Sequence, residues 1–182
     1  ETFAAYHDLR AIKRGFPQTI RGFEVGDRPL ERMLTAGNPI PLSSVLCRTD
    51  LLRNLGGFPE SEDLVGVEDF ALWLRAGAQR LEFRYIPKTL GAYRIHNSVS
   101  SSFDTSQRTE MLVTSYASFL NDKQIRLSKG FVSYSKAKGA RSKNDGRQEY
   151  RFLIECIRSN NWRFVWRAIM RLGANALHSR WI

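Results

Sequence analysis

The hydrophobic pattern of this chain changes character once, close to residue 104, and that change limits the fold more than any other feature. Upstream, short β-branched and aromatic runs alternate with stretches of helical spacing, and Gly and Pro divide them. Downstream, apolar residues recur at helical spacing alone. Strands interleaved with helices, then helices only, predict an α/β domain over residues 1–104 and a helical extension over residues 105–182. At 182 residues and 42% apolar content, the chain can bury one ordinary core with an appendage.

Within the first part, residues 2–9 read as a strand, and residues 13–25, broken by Gly15, Pro17, Gly22 and Gly26, read as loop. Asp27 is placed to cap a helix that starts near Pro29 and stops at Gly37. Asn38-Pro39-Ile40-Pro41 then forces extended backbone, with a strand over residues 42–48 and a short helix from Thr49 or Asp50 to Gly56-Gly57. Val67, Phe70, Ala71, Leu74 and Ala78 share one face of a buried helix over residues 67–79. Two strands, 81–86 and 89–95, are divided by Pro87-Lys88, and residues 97–102 form a polar loop. Helices are expected over 105–122, more weakly to 138, then over 147–158 and 162–178. Gly139, Gly146 and scattered charge make 136–147 a mobile linker.

The net charge of +10 is concentrated. Residues 1–122 hold 14 basic and 15 acidic side chains, residues 123–182 hold 14 basic and 3 acidic, so the surplus belongs to the last third. A near-neutral domain joined to a basic segment suggests an anionic partner for the segment, a lipid surface or a nucleic acid. Cys47 and Cys156 lack metal-ligand spacing and read as buried free thiols. No run approaches the ~20 apolar residues that span a bilayer, and no signal sequence opens the chain. The expectation is a cytoplasmic protein, soluble or peripheral on the inner face of the membrane. The abrupt start at Glu1, already in strand-like sequence, suggests a fragment.

Chemistry is concentrated between Glu60 and Asp69. Glu68 and Asp69 fall in a first helical turn, where the dipole and free N–H groups favour ionised carboxylates. An ionised carboxylate can accept a proton. Trp73 lies one turn beyond Asp69, on a face expected to be distinct from the buried one, and a carboxylate beside an aromatic ring suits sugar binding.

Six segments in one order add a family resemblance: Asn38-Pro39-Ile40, Ser43-Ser44-Val45-Leu46, Gly56-Gly57-Phe58, Val67 through Arg75, Tyr85-Ile86-Pro87, and Tyr93 through Ser100. Together they resemble the acceptor-side, carboxyl-terminal half of family-2 inverting glycosyltransferases, closely over residues 37–102 and loosely over 1–36. The resemblance implies a partial GT-A (nucleotide-diphospho-sugar transferase-like) domain and transfer of a hexosyl group from a nucleotide-sugar to a saccharide or lipid-linked acceptor, as in bacterial envelope polysaccharide synthesis. It implies that Asp69 is the catalytic base, with Glu68 positioning the acceptor or Asp69 itself. Arg94, His96, Ser98 and Ser100 would face substrate and diphosphate, with Ser101 beside them, and His96 would approach the metal. Trp73 and Arg75 sit where the family pattern has tryptophan and arginine; packing or buttressing is the favoured role for both, and contact with substrate is the other reading for Trp73. The family's divalent metal, Mg or Mn, is held by an Asp-x-Asp motif, and none occurs in this chain. A donor half of roughly 100 residues is therefore expected outside the chain, which alone would not transfer sugar.

In the basic extension Arg163, Arg167 and Arg171 form a stripe, opposite Val165, Ile169, Leu172 and Ala176, with Trp162, Trp166 and Trp181 adding amphipathic rings. This fits a helix lying in an anionic membrane interface; the alternative is a helix packed on the globular part with its arginines in water. Two rival classes are a non-catalytic acceptor-binding or scaffold module and a basic nucleic-acid-binding protein. The latter has charge in its favour but no recognition motif.

Overall fold

Strand β1 (Thr2–Lys13) takes part in every strand pairing of a four-stranded mixed sheet in the described residues. It pairs antiparallel with β2 (Phe16–Ile20) and β3 (Val45–Cys47), and parallel with β4 (Glu82–Arg94). A computed structural model of the chain describes residues 2–13, 16–94 and 104–178. These belong to two compact units, residues 1–33 with 37–103 and residues 34–36 with 104–182. The architecture is a small mixed sheet with helices, then a mostly helical region.

In the first unit β1 contributes Phe3, Ala4, Tyr6, Leu9 and Ala11 to the core, while Arg10 is exposed. A strand covered on both faces need not alternate. Residues 13–25, expected to be loop, contain β2, which pairs with β1 from Leu9↔Ile20 to Lys13↔Phe16; Pro17 lies within the strand, opposite Ile12, and does not end the sheet. The two expected strands 81–86 and 89–95 are one strand, β4. Its register against β1 jumps from His7↔Ile86 to Asp8↔Thr89, so Pro87 and Lys88 sit in an irregularity where proline's missing donor is tolerated. The expected strand 42–48 shortens to β3, since Ser44 closes a 3-10 turn on the Pro41 carbonyl through both its N–H and its hydroxyl.

Helix α1 (Pro29–Ala36) has Arg28 at its cap position and no side-chain cap bond; Asp27 does not serve. Proline at the first position already lacks the N–H a cap would satisfy. Helix α2 (Thr49–Asn54) follows β3, and α3 (Glu68–Ala78) is the buried helix, with Phe70 through Leu74, Ala76 and Gly77 all in the core.

The second unit contains α4 (Ser106–Ser115), α5 (Asp122–Ser142), α6 (Gly146–Arg158) and α7 (Trp162–His178). Asn121 and Gln124 form a reciprocal capping box at the start of α5. The segment expected as a mobile linker is helical through Ser142. Ala137, Gly139 and Ala140 are buried, Lys143 pairs with Asp104 at 2.7 Å, and Asp145 caps α6 by accepting from Gln148 N–H at 3.0 Å. Small residues that read as flexibility are packing positions. Cys156 is buried and Cys47 half-buried, both as free thiols.

Where α5 passes the α6–α7 turn, Gly130 has no room for a side chain unless its neighbours shift. A Cβ there would lie 2.1 Å from Ser159 Oγ and 2.8 Å from Asn161 Cβ. Both neighbours are buried and committed: Ser159 donates to the Cys156 carbonyl and accepts from Asn161 N–H, and Asn161 Nδ2 donates to the Leu127 carbonyl. Gly130→Ala is expected to cost about 1–3 kcal/mol through overpacking, read as a lower urea midpoint at unchanged slope.

Candidate functional site

Asp69 stands at the start of α3 because the rest of that helix is committed to the core. Val67, buried, precedes it as the cap residue, and Gly66, at φ 83°, turns the chain into the helix. The Asp69 carboxylate is half-buried. Its Oδ1 accepts from Phe70 N–H at 2.6 Å, and its Oδ2 accepts a long 3.4 Å bond from Asn38 Nδ2. Asn38 is itself oriented, since its Oδ1 accepts from Ile40 N–H at 2.9 Å and so leaves the amide nitrogen facing Asp69.

A second set of bonds holds the segments around Asn38. Asp8, buried on β1, accepts from Gly22 N–H at 2.9 Å and from the Tyr85 hydroxyl at 2.7 Å. The Tyr6 hydroxyl donates to the Phe23 carbonyl at 2.7 Å. Gly22 passes so close to the Pro39 carbonyl that a Cβ would sit 2.9 Å from it, with the rings of Tyr85 and Tyr6 also within contact. The residue next to Asn38 is thus fixed against the sheet.

Burial dominates the electrostatics of Asp69 and raises its pKa from 3.8 to about 6. The Phe70 N–H bond works against this, the neighbouring Glu68 charge adds to it, and the Asn38 bond again works against it. Desolvation outweighs the helix terminus, yet at about 6 the carboxyl still ionises below neutral pH. Glu68 is half-buried, and its Oε2 has no hydrogen-bond partner among the described residues.

The open face expected for Trp73 beside Asp69, and with it the reading of Trp73 as a substrate contact, requires correction. Trp73 is fully buried, edge-on to Phe3, Phe58 and Phe83, with ring centroids 6.2, 6.4 and 6.5 Å away. It shares no open face with Asp69 and packs the core rather than touching substrate, because α3 is covered on more than the one side its periodicity marks. Met33 and the Leu30 backbone meet it at Gly77, and the aromatic cluster meets it at Trp73. Arg75 buttresses the turn after α2 by donating to the Leu55 and Gly57 carbonyls.

Arg94 ends β4, but its side chain and the whole of His96, Ser98, Ser100 and Ser101 lie outside what the structure describes. Among the described residues no cluster of three or more His, Cys, Asp or Glu side chains is placed to hold a metal. Asn38 is the site residue that sequence reasoning missed as a contact of Asp69. The Asn-Pro pair signalled a backbone turn, while the partner lies 31 positions away.

On α7, Arg163 and Arg167 are exposed, whereas Arg171 is half-buried and donates to buried Glu149 at 2.8 Å. Arg171 is therefore a structural ion-pair residue, and the three arginines do not form one outward stripe. Val165 packs inward while Ile169 faces out, so the expected apolar side is also divided. Trp181 lies outside the described residues. No helix among the described residues is long and apolar enough to cross a membrane.

Comparison of the chain with protein-family models, curated proteins and solved structures finds no match.

The raised Asp69 pKa has a consequence for stability that is independent of function. A carboxyl that binds its proton more tightly when folded stabilises the fold fully below pH 3.8, and that contribution is lost as pH rises through about 6. Asp69→Asn, which stays neutral, is therefore expected to be more stable than the parent at pH 7.5, by about 1–3 kcal/mol. The gain should vanish near pH 4. Urea unfolding of both proteins at the two pH values reads this; an equal or lower midpoint for the variant at pH 7.5 would contradict it.

Proposed function

We propose that this chain is the acceptor-side part of an inverting glycosyltransferase of the family-2 type, with Asp69 as general base. The observation that carries the reading is the state of Asp69: a half-buried carboxylate at a helix start, oriented by Asn38, with a pKa of about 6. A base of that pKa is ionised at neutral pH yet more basic than an ordinary carboxylate, which suits removal of a proton from an acceptor hydroxyl. In the proposed reaction the hydroxyl oxygen bonds to the anomeric carbon while the bond to the nucleoside diphosphate breaks on the opposite face. Asp69 takes the hydroxyl proton, and the bonding electrons leave with the diphosphate. The ordered sequence segments from Asn38 to Ser100 support the family assignment.

Glu68, beside the base, positions the acceptor or keeps the Asp69 pKa high; Trp73 and Arg75 hold α3. Arg94, His96, Ser98 and Ser100 remain proposed for the diphosphate side on the resemblance alone. The nucleotide-sugar and a divalent metal would be held outside these 182 residues, which contain no Asp-x-Asp. A saccharide or lipid-linked acceptor fits this role, within cytoplasmic polysaccharide assembly.

The test is transfer from a panel of nucleoside-diphosphate sugars by the complete polypeptide that contains this chain. Asp69→Asn should lower kcat by about 10²–10⁴ with the fold intact, whereas a scaffold would keep its function. The parent rate should rise with pH through about 6 and then level. Asn38→Ala removes a bond that lowers the Asp69 pKa, so its acid limb should move to higher pH. Full activity in Asp69→Asn, or sugar transfer by the isolated 182 residues, would refute the reading.

A further inference from the structure

Helix α7 buries one side and leaves an apolar arc on another. Phe164, Val165 and Ala168 pack inward at 5%, 7% and 0% exposure. Trp162, Trp166, Ile169 and Met170 stand outside at 73%, 55%, 42% and 60%. Positions i, i+4, i+7 and i+8 lie on one side of a helix, so these four residues form a continuous patch, and the indole rings of Trp162 and Trp166 lie 6.4 Å apart. Exposed Arg163 and Arg167 fall along one border of the arc, and α7 contains no acidic residue. Exposed apolar area of this kind marks a contact surface. Its border selects the occupant.

We infer that α7 binds the surface of an anionic bilayer, inserting Trp162, Trp166, Ile169 and Met170 into the headgroup boundary with Arg163 and Arg167 against lipid phosphates. A two-sided helix, one side packed in its own unit and the other apolar with cations at the edge, can lie in the interface without unfolding. The charge of its surroundings agrees, since residues 123–182 carry 14 basic and 3 acidic side chains. The arginine stripe expected from sequence is replaced by a tryptophan-centred patch bordered by two arginines, with Arg171 reserved for Glu149. This inference does not depend on the glycosyltransferase reading, because its test involves no sugar transfer.

The experiment is flotation of the full 182-residue chain with vesicles of phosphatidylcholine alone and with about 30 mol% phosphatidylglycerol. Binding should require the anionic lipid and shift tryptophan emission to shorter wavelength. The double variant Trp162→Ser/Trp166→Ser should weaken partitioning at least about tenfold, and Arg163→Glu/Arg167→Glu by about thirtyfold or more. Circular dichroism identical to the parent establishes that either variant has folded; Trp166→Phe, which keeps apolar area, should retain most of the binding and serves if the serines unfold the chain. Absence of vesicle binding by the parent, equal binding to both vesicle types, or full binding by the folded double-serine variant would overturn the inference. So would a tryptophan-dependent dimer, or tryptophan-dependent binding of a random oligonucleotide, in a chain that ignores anionic vesicles.

Discussion

The first unit depends on the burial of α3 against β1 and β4. Trp73 meets Phe3 from β1 and Phe83 from β4 edge-on, and Phe3 and Phe83 meet each other at 5.5 Å. Edge-to-face contacts among large rings have directional preference as well as area, so they fix the helix's rotation and not merely its distance from the sheet. With α1 pressed close at Gly77, α3 can neither roll nor slide far. Its first turn is the part left for chemistry. The core tolerates an indole N–H with no partner among the described residues to gain this packing, a cost of roughly 1–3 kcal/mol.

Asp69 inherits its properties from that arrangement. The same burial that orders α3 withdraws water from the carboxylate and raises its pKa, while Phe70 N–H and Asn38 limit the rise. Asn38 can act only because Pro39 is pinned against Gly22, and Gly22 is held by Asp8, which Tyr85 also contacts. Two strands and two loops thus converge on the acidity of one group. Asp69 is less stable ionised than neutral in this fold, and a sequence selected for stability alone would place a neutral side chain there; the proposed role as a base accounts for the carboxylate.

What was legible from sequence had a local cause. Helix α3, with Glu68 and Asp69 in its first turn, followed from the spacing of Val67, Phe70, Leu74 and Ala78, and α1 from Pro29 and Gly37. The misses were long-range. Nothing near Trp73 says that Phe3, 70 positions earlier, meets its ring, and nothing near Asn38 says that its amide meets Asp69. Pro87-Lys88 broke the strand pattern because a register irregularity is settled by the partner strand, not by the residues within it. Gly139 carried the composition of a linker, yet small size in a long helix serves close packing as well as flexibility.

The helical unit resolves its charge unevenly. Lys136 pairs with Glu110, Lys143 with Asp104, Arg151 with Glu155 and Arg171 with Glu149, so each acidic residue engaged in these pairs is already matched by at least one cation. Asp145, the remaining acid after residue 122, is used as a helix cap. The surplus of basic residues therefore persists after internal pairing, and its self-repulsion works against the compact state. A unit selected only for stability would trade several of those cations for neutral side chains. Keeping them in a unit whose last described helix exposes two tryptophans makes sense when an anionic surface both screens the repulsion and covers the apolar arc.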